Sequence, residues 1–418
     1  MDSNMTKNNE NYYKANQIVL SKSTSNTENS EECFLINDKI LKDSEGKKIS
    51  NFSKFKNLIR IELHKVLDRR YDNVILFAGA GASVVMKENS INDEYGKTIA
   101  MIAQDINDIL EETNGVYSID ELSNLMKEDK SKVTNKKNKL DESFNLEDFI
   151  SKLQSYKQFV DKNKKKKFEN TIKKIYEVII DKTKYSYNPE VMKHRQILDL
   201  LIKKVQSPNK LSVITTNYDT LFEEAAELDN YVVFDGFNFQ YNSSFNSDMF
   251  NWNLVKEVPF MKTRELEYKK RVFNLLKIHG SLTWIKDGER ILKSSKTEII
   301  NDKNKSPVMI FPSSNKYALS YTEPYFSLLT KFQELLNLKN TLLITTGFSF
   351  ADNHIAEMVI QAIKNNPSLT TLITDYDIDK KEKNWKKLEG MRETNSIYLL
   401  KATLNGDLTE YIGDYDAD

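Results

Sequence analysis

The chain has 418 residues, 39% apolar and 29% charged, enough to bury one large core or several ordinary ones without a disulfide or metal staple. Lys+Arg and Asp+Glu both number 61, so the net charge is zero, and no global electrostatic case remains for nucleic acid or an anionic membrane. The single cysteine, Cys33, excludes an intramolecular disulfide and a cysteine-rich zinc site.

Residues 1–50 are Asn-, Ser- and Lys-rich and weakly periodic, and read as a polar, mostly mobile N-terminal arm. Met1–Lys14 lacks the apolar centre of a targeting segment, and no apolar run reaches membrane-spanning length. A cytoplasmic protein is expected. The first helical stripe is Phe55, Leu58, Ile59, Val66 and Leu67, predicting a helix over 55–70. Asn73–Ala78 is then a continuous apolar run, the pattern of a strand buried on both faces. It ends in Gly79-Ala80-Gly81-Ala82-Ser83. A glycine turn between a strand and a helix lets backbone N–H groups approach a diphosphate closely. The bland alternative is a well-packed turn of small residues.

From Tyr95 to Val205 four apolar stripes recur at helical spacing and no strand pattern is found. They contain Ile99/Ala103/Ile106/Leu110, Phe149/Ile150/Leu153, Ile172/Ile175/Ile179 and Leu198/Leu201/Ile202. An all-helical module inserted after the first strand is expected over 95–205. The segment Lys127–Asp141 reads as a charged loop, and the run Lys164–Lys167 as a solvated helix face rather than a phosphate patch.

Buried-strand runs return at Leu211–Thr215, Tyr231–Phe234, Leu275–Ile278, Val308–Phe311, Leu342–Thr346, Leu369–Thr374 and Ile397–Leu400, with helical patterns between several of them. The fold class is therefore α/β: a Rossmann-like, mostly parallel sheet with helices on both faces, over 51–94 and 206–418, interrupted by the helical insertion. Ligands of such sheets bind outside the carboxyl ends of the strands. The polar residues at those ends are thus the candidate site.

Thr216-Asn217-Tyr218-Asp219 follows the second strand. Helix capping accounts for Asp219 alone but not for its polar neighbours. His279-Gly280-Ser281 follows another strand. An imidazole exposed there titrates near neutral pH and suits general-base work. His64 and His194, on charged helices, receive no role. Gly347-Phe348-Ser349 follows Leu342–Thr346 and reads as a diphosphate or ribose contact, with Asp352 as the next helix cap and His354 inside that helix. Asp375 ends the strand Leu369–Thr374, where an acid accepts hydrogen bonds from ribose hydroxyls; an ordinary turn aspartate is equally consistent. No metal cluster is read from the sequence.

The order Gly-Ala-Gly-Ala-Ser, Thr-Thr-Asn-Tyr-Asp, His-Gly-Ser, Gly-Phe-Ser and an acidic strand end resembles the sirtuin (silent information regulator) family over roughly residues 74–375. The resemblance implies NAD+ as the bound substrate. It implies Gly79, Ala80, Gly81, Ser83 and Thr216 near the dinucleotide, with Gly347, Ser349 and Asp375 on its adenosine half. Asn217 would position water or ribose near the reacting carbon, Asp219 would organise that pocket, and His279 would be the base. Sirtuin deacylases carry Gln where Thr216 stands, Ile where Tyr218 stands, and a four-cysteine ribbon that this chain lacks. In these respects, and over Val308–Tyr317, the chain looks like sirtuin-like bacterial antiphage effectors that hydrolyse NAD+. Only a short tail follows the last expected strand, so no appended sensor domain is expected. The stand-alone members of that group imply a homo-oligomer paired with a HerA-family ATPase, with nucleic acid involved only indirectly and no membrane. The rival expectations are an NAD-dependent deacylase, a non-catalytic ADP-ribose sensor, and a nuclease or DNA-associated subunit.

Overall fold

The computed structural model describes residues 8–24, 32–43, 46–88, 90–127, 133, 139–141, 144–259, 265–295, 307–309 and 323–413. The chain opens with an antiparallel ribbon of β1 (Asn8–Ala15), β2 (Ile18–Thr24), β3 (Glu32–Ile36) and β4 (Lys39–Ile40). Helix α1 (Phe52–Leu67) leads to β5 (Asn73–Ala78), followed by a small hairpin, β6 (Met86–Lys87) and β7 (Ser90–Ile91). Five helices come next: α2 (Ile99–Glu112), α3 (Ile119–Met126), α4 (Leu146–Tyr156), α5 (Lys162–Thr183) and α6 (His194–Ile202). The chain then forms β8 (Leu211–Thr215), α7 (Leu221–Leu228), β9 (Val232–Phe234), the hairpin β10 (Val255–Glu257) and β11 (Leu266–Tyr268), and β12 (Val272–Lys277). A second sheet of β13 (Gly280–Asp287), β14 (Arg290–Lys293) and β15 (Pro307–Met309) follows His279. The last elements are α8 (Tyr325–Asn337), β16 (Thr341–Thr346), α9 (Asn353–Asn365), β17 (Leu369–Asp375), α10 (Lys383–Met391), β18 (Ile397–Lys401) and α11 (Leu408–Ile412).

The main sheet has 11 strands in the order β4-β3-β2-β1-β18-β17-β16-β5-β8-β12-β9. From β18 to β9 every pairing is parallel, and the remaining strands are antiparallel. The fold is thus the expected mixed α/β architecture with a large, mostly parallel sheet. β5 explains why parallel strands read as unbroken apolar runs. Val74 and Leu76 join a core shared with α1, α6 and α11, whereas Ile75 and Phe77 join the opposite core with α8, α9 and α10. The chain proceeds from β5 to β8 on one side and returns later to β16 on the other, so the strand order reverses at β5. The crevice at such a reversal is the general ligand position in open α/β sheets.

Three expectations are corrected. Residues 8–24 and 32–40 are not a mobile arm. β1 pairs with β18 and extends the sheet, Tyr13 and Phe34 are fully buried, and Phe34 and Tyr12 pack their rings against Phe52 and Phe55 of α1. Their polar composition reflects edge strands with one solvated face. Second, no α-helix directly follows the glycine motif. Ala80–Ala82 makes a single turn of 3-10 helix, and the next α-helix starts at Ile99. Third, the helical module is shorter than 95–205. Helices α2 to α5 enclose their own core around Ile106, Leu122, Leu153, Phe168 and Ile175. By contrast α6 packs Ile197, Leu198 and Leu201 onto the main sheet. Its apolar stripe has helical period, which says nothing about which core it joins.

Most of Lys127–Asp141, and Val308–Tyr317 beyond Met309, lie outside the described residues. No described helix is long and apolar enough to cross a membrane.

Candidate active site

The carboxyl ends of β5, β8, β12 and β16 carry the site, and backbone bonds knit them together. The Thr216 N–H donates to the Ala78 carbonyl at 3.2 Å, and the Ile278 N–H to the Thr215 carbonyl at 3.0 Å. The Leu282 N–H reaches the Tyr218 carbonyl at 3.0 Å, binding the loop after β8 to the strand after His279.

Ser83 is the hub. Its hydroxyl donates to Asp219 Oδ2 at 2.6 Å and accepts from Asn217 Nδ2 at 2.9 Å. Asp219 is buried and its other oxygen accepts the Leu221 N–H at 3.2 Å, at the start of α7. One carboxylate thus serves both the Leu221 N–H and the Ser83 hydroxyl, one oxygen each, while the N-cap position of α7 is Thr220, which makes no side-chain cap bond. Asn217 is half-buried, so its amide is oriented by Ser83 while its environment stays partly open. Ser83 itself is buried at 2% exposure. Its hydroxyl orients Asn217 and Asp219 rather than standing free for a diphosphate.

The glycines serve one another. The Gly81 N–H donates to the Gly347 carbonyl at 2.9 Å, and the Gly79 N–H to the Thr346 carbonyl at 3.0 Å. A Cβ on Gly79 would lie 2.6 Å from the Gly347 carbonyl oxygen. One on Gly347, whose φ is +61°, would lie 2.3 Å from the Ala82 nitrogen. The space left by the missing side chains is filled by backbone of the opposing loop. Ala80 and Gly81 remain half-buried at the crevice, and Ser349, two residues after Gly347 in the loop that follows the neighbouring strand β16, is exposed.

His279 is only 7% exposed, less than the sequence reading anticipated. Its Nε2 lies 3.5 Å from Asp352 Oδ2. Asp352 caps α9 as expected, its Oδ1 accepting the His354 N–H at 3.1 Å, yet its second oxygen faces the imidazole. The capping signal was visible in the sequence; the histidine partner, 73 positions away, was not. Lys277 was also missed. This lysine ends β12 at 1% exposure and donates to the Asp219 carbonyl and, at 3.0 Å, to Glu223. A polar end to an apolar strand was its only sequence signal. Tyr218 packs against the core of the helical module, joining that module to the site loop.

Asp375 is buried at the end of β17, with Oδ2 2.7 Å from Lys380 Nζ and Oδ1 accepting the Asp377 N–H at 3.1 Å. Burial raises its carboxyl above the usual carboxylate range, against the opposing pull of Lys380. It is engaged within the protein, on the far side of β16 from the Ser83 cluster. His194 is buried and packs edge-on to Phe222, with ring centroids 4.8 Å apart. Burial pushes it down to about 4.

The arrangement presents an oriented amide (Asn217) and an imidazole–carboxylate pair (His279–Asp352) at neighbouring strand ends. Half-buried Thr216 and exposed Ser349 add hydroxyls. This donor set fits a ligand rich in hydroxyls and phosphates, although the glycine loops offer no empty cradle beneath it. Among the described residues no group of three or more His, Cys, Asp or Glu side chains is placed to hold a metal ion.

Residues 211–393 match the family model of the SIR2-like domain. The matched span contains Asn217, Asp219, His279, Gly347, Ser349 and Asp375; β5 and its glycine loop precede it. The similarity supports a sirtuin-like relationship and fits an NAD-using enzyme. No curated protein matches the chain.

Proposed function

We propose that the chain is an NAD+ glycohydrolase that cleaves the nicotinamide–ribose bond, releasing nicotinamide and ADP-ribose. The observation that carries this reading is the convergence of the Ser83–Asn217–Asp219 cluster and the His279–Asp352 pair at the carboxyl ends of adjoining parallel strands. Nicotinamide leaves with the bonding electron pair, which neutralises its own ring charge, so departure needs no strong acid. The ribose carbon develops oxocarbenium character, as in glycoside hydrolysis, and water adds to it. Asn217, fixed by Ser83, orients the water or the ribose hydroxyls. His279, with its Nε2 3.5 Å from Asp352 Oδ2, takes the proton from water. The Asp352 carboxylate stabilises the imidazolium so formed. The balance is NAD+ plus water to nicotinamide, ADP-ribose and a proton, and no metal enters it.

The test is incubation of purified protein with NAD+ and chromatography of the products. His279→Ala should abolish turnover in a folded protein, and Asn217→Ala should lower kcat more than it raises KM. Unchanged turnover in folded His279→Ala sinks the assignment. Nicotinamide release that depends on an added acetyl-lysine peptide would favour a deacylase instead.

The cellular reading is a cytoplasmic, NAD+-depleting effector of antiphage defence, gated as a homo-oligomer with a HerA-family ATPase. Its support is the resemblance of the site motifs together with the lethality of ungated NAD+ destruction. Light scattering, and NAD+ turnover with and without a HerA-family ATPase, test it. A monomer fully active alone and indifferent to the ATPase refutes it.

A further inference from the structure

A cleft of about 540 Å³ opens at the edge of the sheet opposite the candidate active site. Its floor is the amino end of β8 and β12, at Leu211 and Val272. Its walls are the loop after α6 and the hairpin β10–β11. Strand β8 separates it from Asn217 by its full length, roughly 17 Å at the usual rise. The cleft is therefore distinct from the Ser83–His279 cluster.

Its chemistry is one-sided. Lys203, Lys210, Lys269, Lys270 and Arg271 line it, against one carboxylate, Asp199, which accepts the Tyr231 hydroxyl. Two of the cations are engaged by the protein. Lys210 donates to the Phe250 and Trp252 carbonyls, and Arg271 donates to the Asp229 carbonyl at 2.8 Å. Lys203, Lys269 and Lys270 are exposed and make no ion pair among the described residues. In a chain whose charges cancel overall, five cations around one concavity are a local excess that an anion would neutralise. Burial, reinforced by Lys331, pushes the Lys210 ammonium down to about 8.

The remaining surface is apolar and aromatic. Ile202, Val205 and Leu254 contribute aliphatic wall, and Tyr268 presents a side chain at 39% exposure. The volume lies in the range of small-molecule sites and far exceeds what one phosphate fills. We propose that this cleft binds a nucleoside polyphosphate, with its phosphates on Lys203, Lys269 and Lys270 and its base against Tyr268 and Leu254. This assignment is independent of the hydrolase reading, because it concerns a different edge of the sheet and is tested by binding alone.

The probes are ATP and inorganic tripolyphosphate, titrated calorimetrically into wild type, with and without excess ADP-ribose, and into Lys203→Ala/Lys269→Ala/Lys270→Ala and Tyr268→Ala. The three lysines are exposed and make no ion pair among the described residues, so the triple variant should keep its fold, which circular dichroism checks. ATP binding should weaken at least tenfold in the triple variant and about threefold to tenfold in Tyr268→Ala, where an aromatic contact is lost. It should be unchanged by excess ADP-ribose, the product assigned to the other site. Tripolyphosphate should bind more weakly than ATP and ignore Tyr268→Ala. Absence of ATP binding to wild type overturns the proposal, as does equal ATP affinity in wild type and the triple variant. Displacement of ATP by ADP-ribose places the nucleotide in the other site and overturns it too. Tripolyphosphate binding as tightly as ATP overturns the nucleoside assignment.

Discussion

Replacing Ser83 by alanine removes the hub of the candidate site while leaving both of its partners in place. The hydroxyl is buried and makes two bonds, a short one of 2.6 Å to the Asp219 carboxylate and one of 2.9 Å from the Asn217 amide. A hydrogen bond to a charged acceptor contributes roughly 1.5–3 kcal/mol, and a neutral one about 1 kcal/mol. Asp219, at 5% exposure, would keep the Leu221 N–H and lose its shortest donor. The expected destabilisation is therefore about 3 kcal/mol, a shift of roughly 1 M in the urea midpoint for an m-value near 3 kcal/mol/M. Turnover should fall as well, because the Asn217 amide loses the acceptor that orients it. Ser83 is then a positioning residue, and a double-mutant cycle separates this from general damage. If Ser83 acts through Asn217, Ser83→Ala should cost little further rate in an Asn217→Ala background. A Ser83→Ala protein with wild-type midpoint and kcat would refute the reasoning. Fully additive rate losses would refute the positioning role.

Gly347→Ala should be far more damaging than Gly288→Ala, though both residues have φ near +60°. Gly288 has no atom within 4 Å of an added Cβ and should lose about 1 kcal/mol, whereas Gly347 meets backbone at 2.3 Å and should lose several. Equal thermal midpoints for the two variants would contradict the loop-on-loop packing. Asp352→Asn keeps an N-cap oxygen but removes the charge facing His279. We expect kcat to drop at least about tenfold with the unfolding midpoint nearly unchanged, and an unaltered rate would dismiss the imidazole–carboxylate pair. His194 predicts an acid-sensitive fold. Its pKa falls from 6.5 to about 4 on burial, so the unfolded chain binds the proton first and the contribution is complete only above pH 6.5. Roughly 3 kcal/mol should be lost as pH falls from 6.5 to about 4. His194→Phe, compatible with the neighbouring Phe222 and Tyr187 rings, should lose this slope; identical pH dependence in wild type and variant would exclude His194 as its source.

The sequence by itself determined the parallel core of the sheet and the strand-end motifs. β5, β8, β16 and β17 are buried on both faces, so apart from Asn73 and Asp375 at strand ends every residue is apolar, a threonine or the small Ser212, and the run announced itself. Helices α2, α4 and α5 were equally legible, because each carries an apolar stripe, whereas the short α3 was not read. What sequence could not supply was the identity of the opposing surface. The ribbon β1–β4 hides among polar residues because it occupies an edge. Its clearest signals were the tight turns at Asn16 and at Asn37-Asp38, all with positive φ. Helix α6 shows the same stripe as its predecessors yet joins another core. Only tertiary structure decided that the glycines of 79–81 exist for Gly347, that Ser83 belongs to Asn217 and Asp219, and that the capping carboxylate of Asp352 also faces His279. Each of these joins residues more than 70 positions apart, and a local pattern records which side chains are present at a strand end, not which neighbouring strand end they will meet.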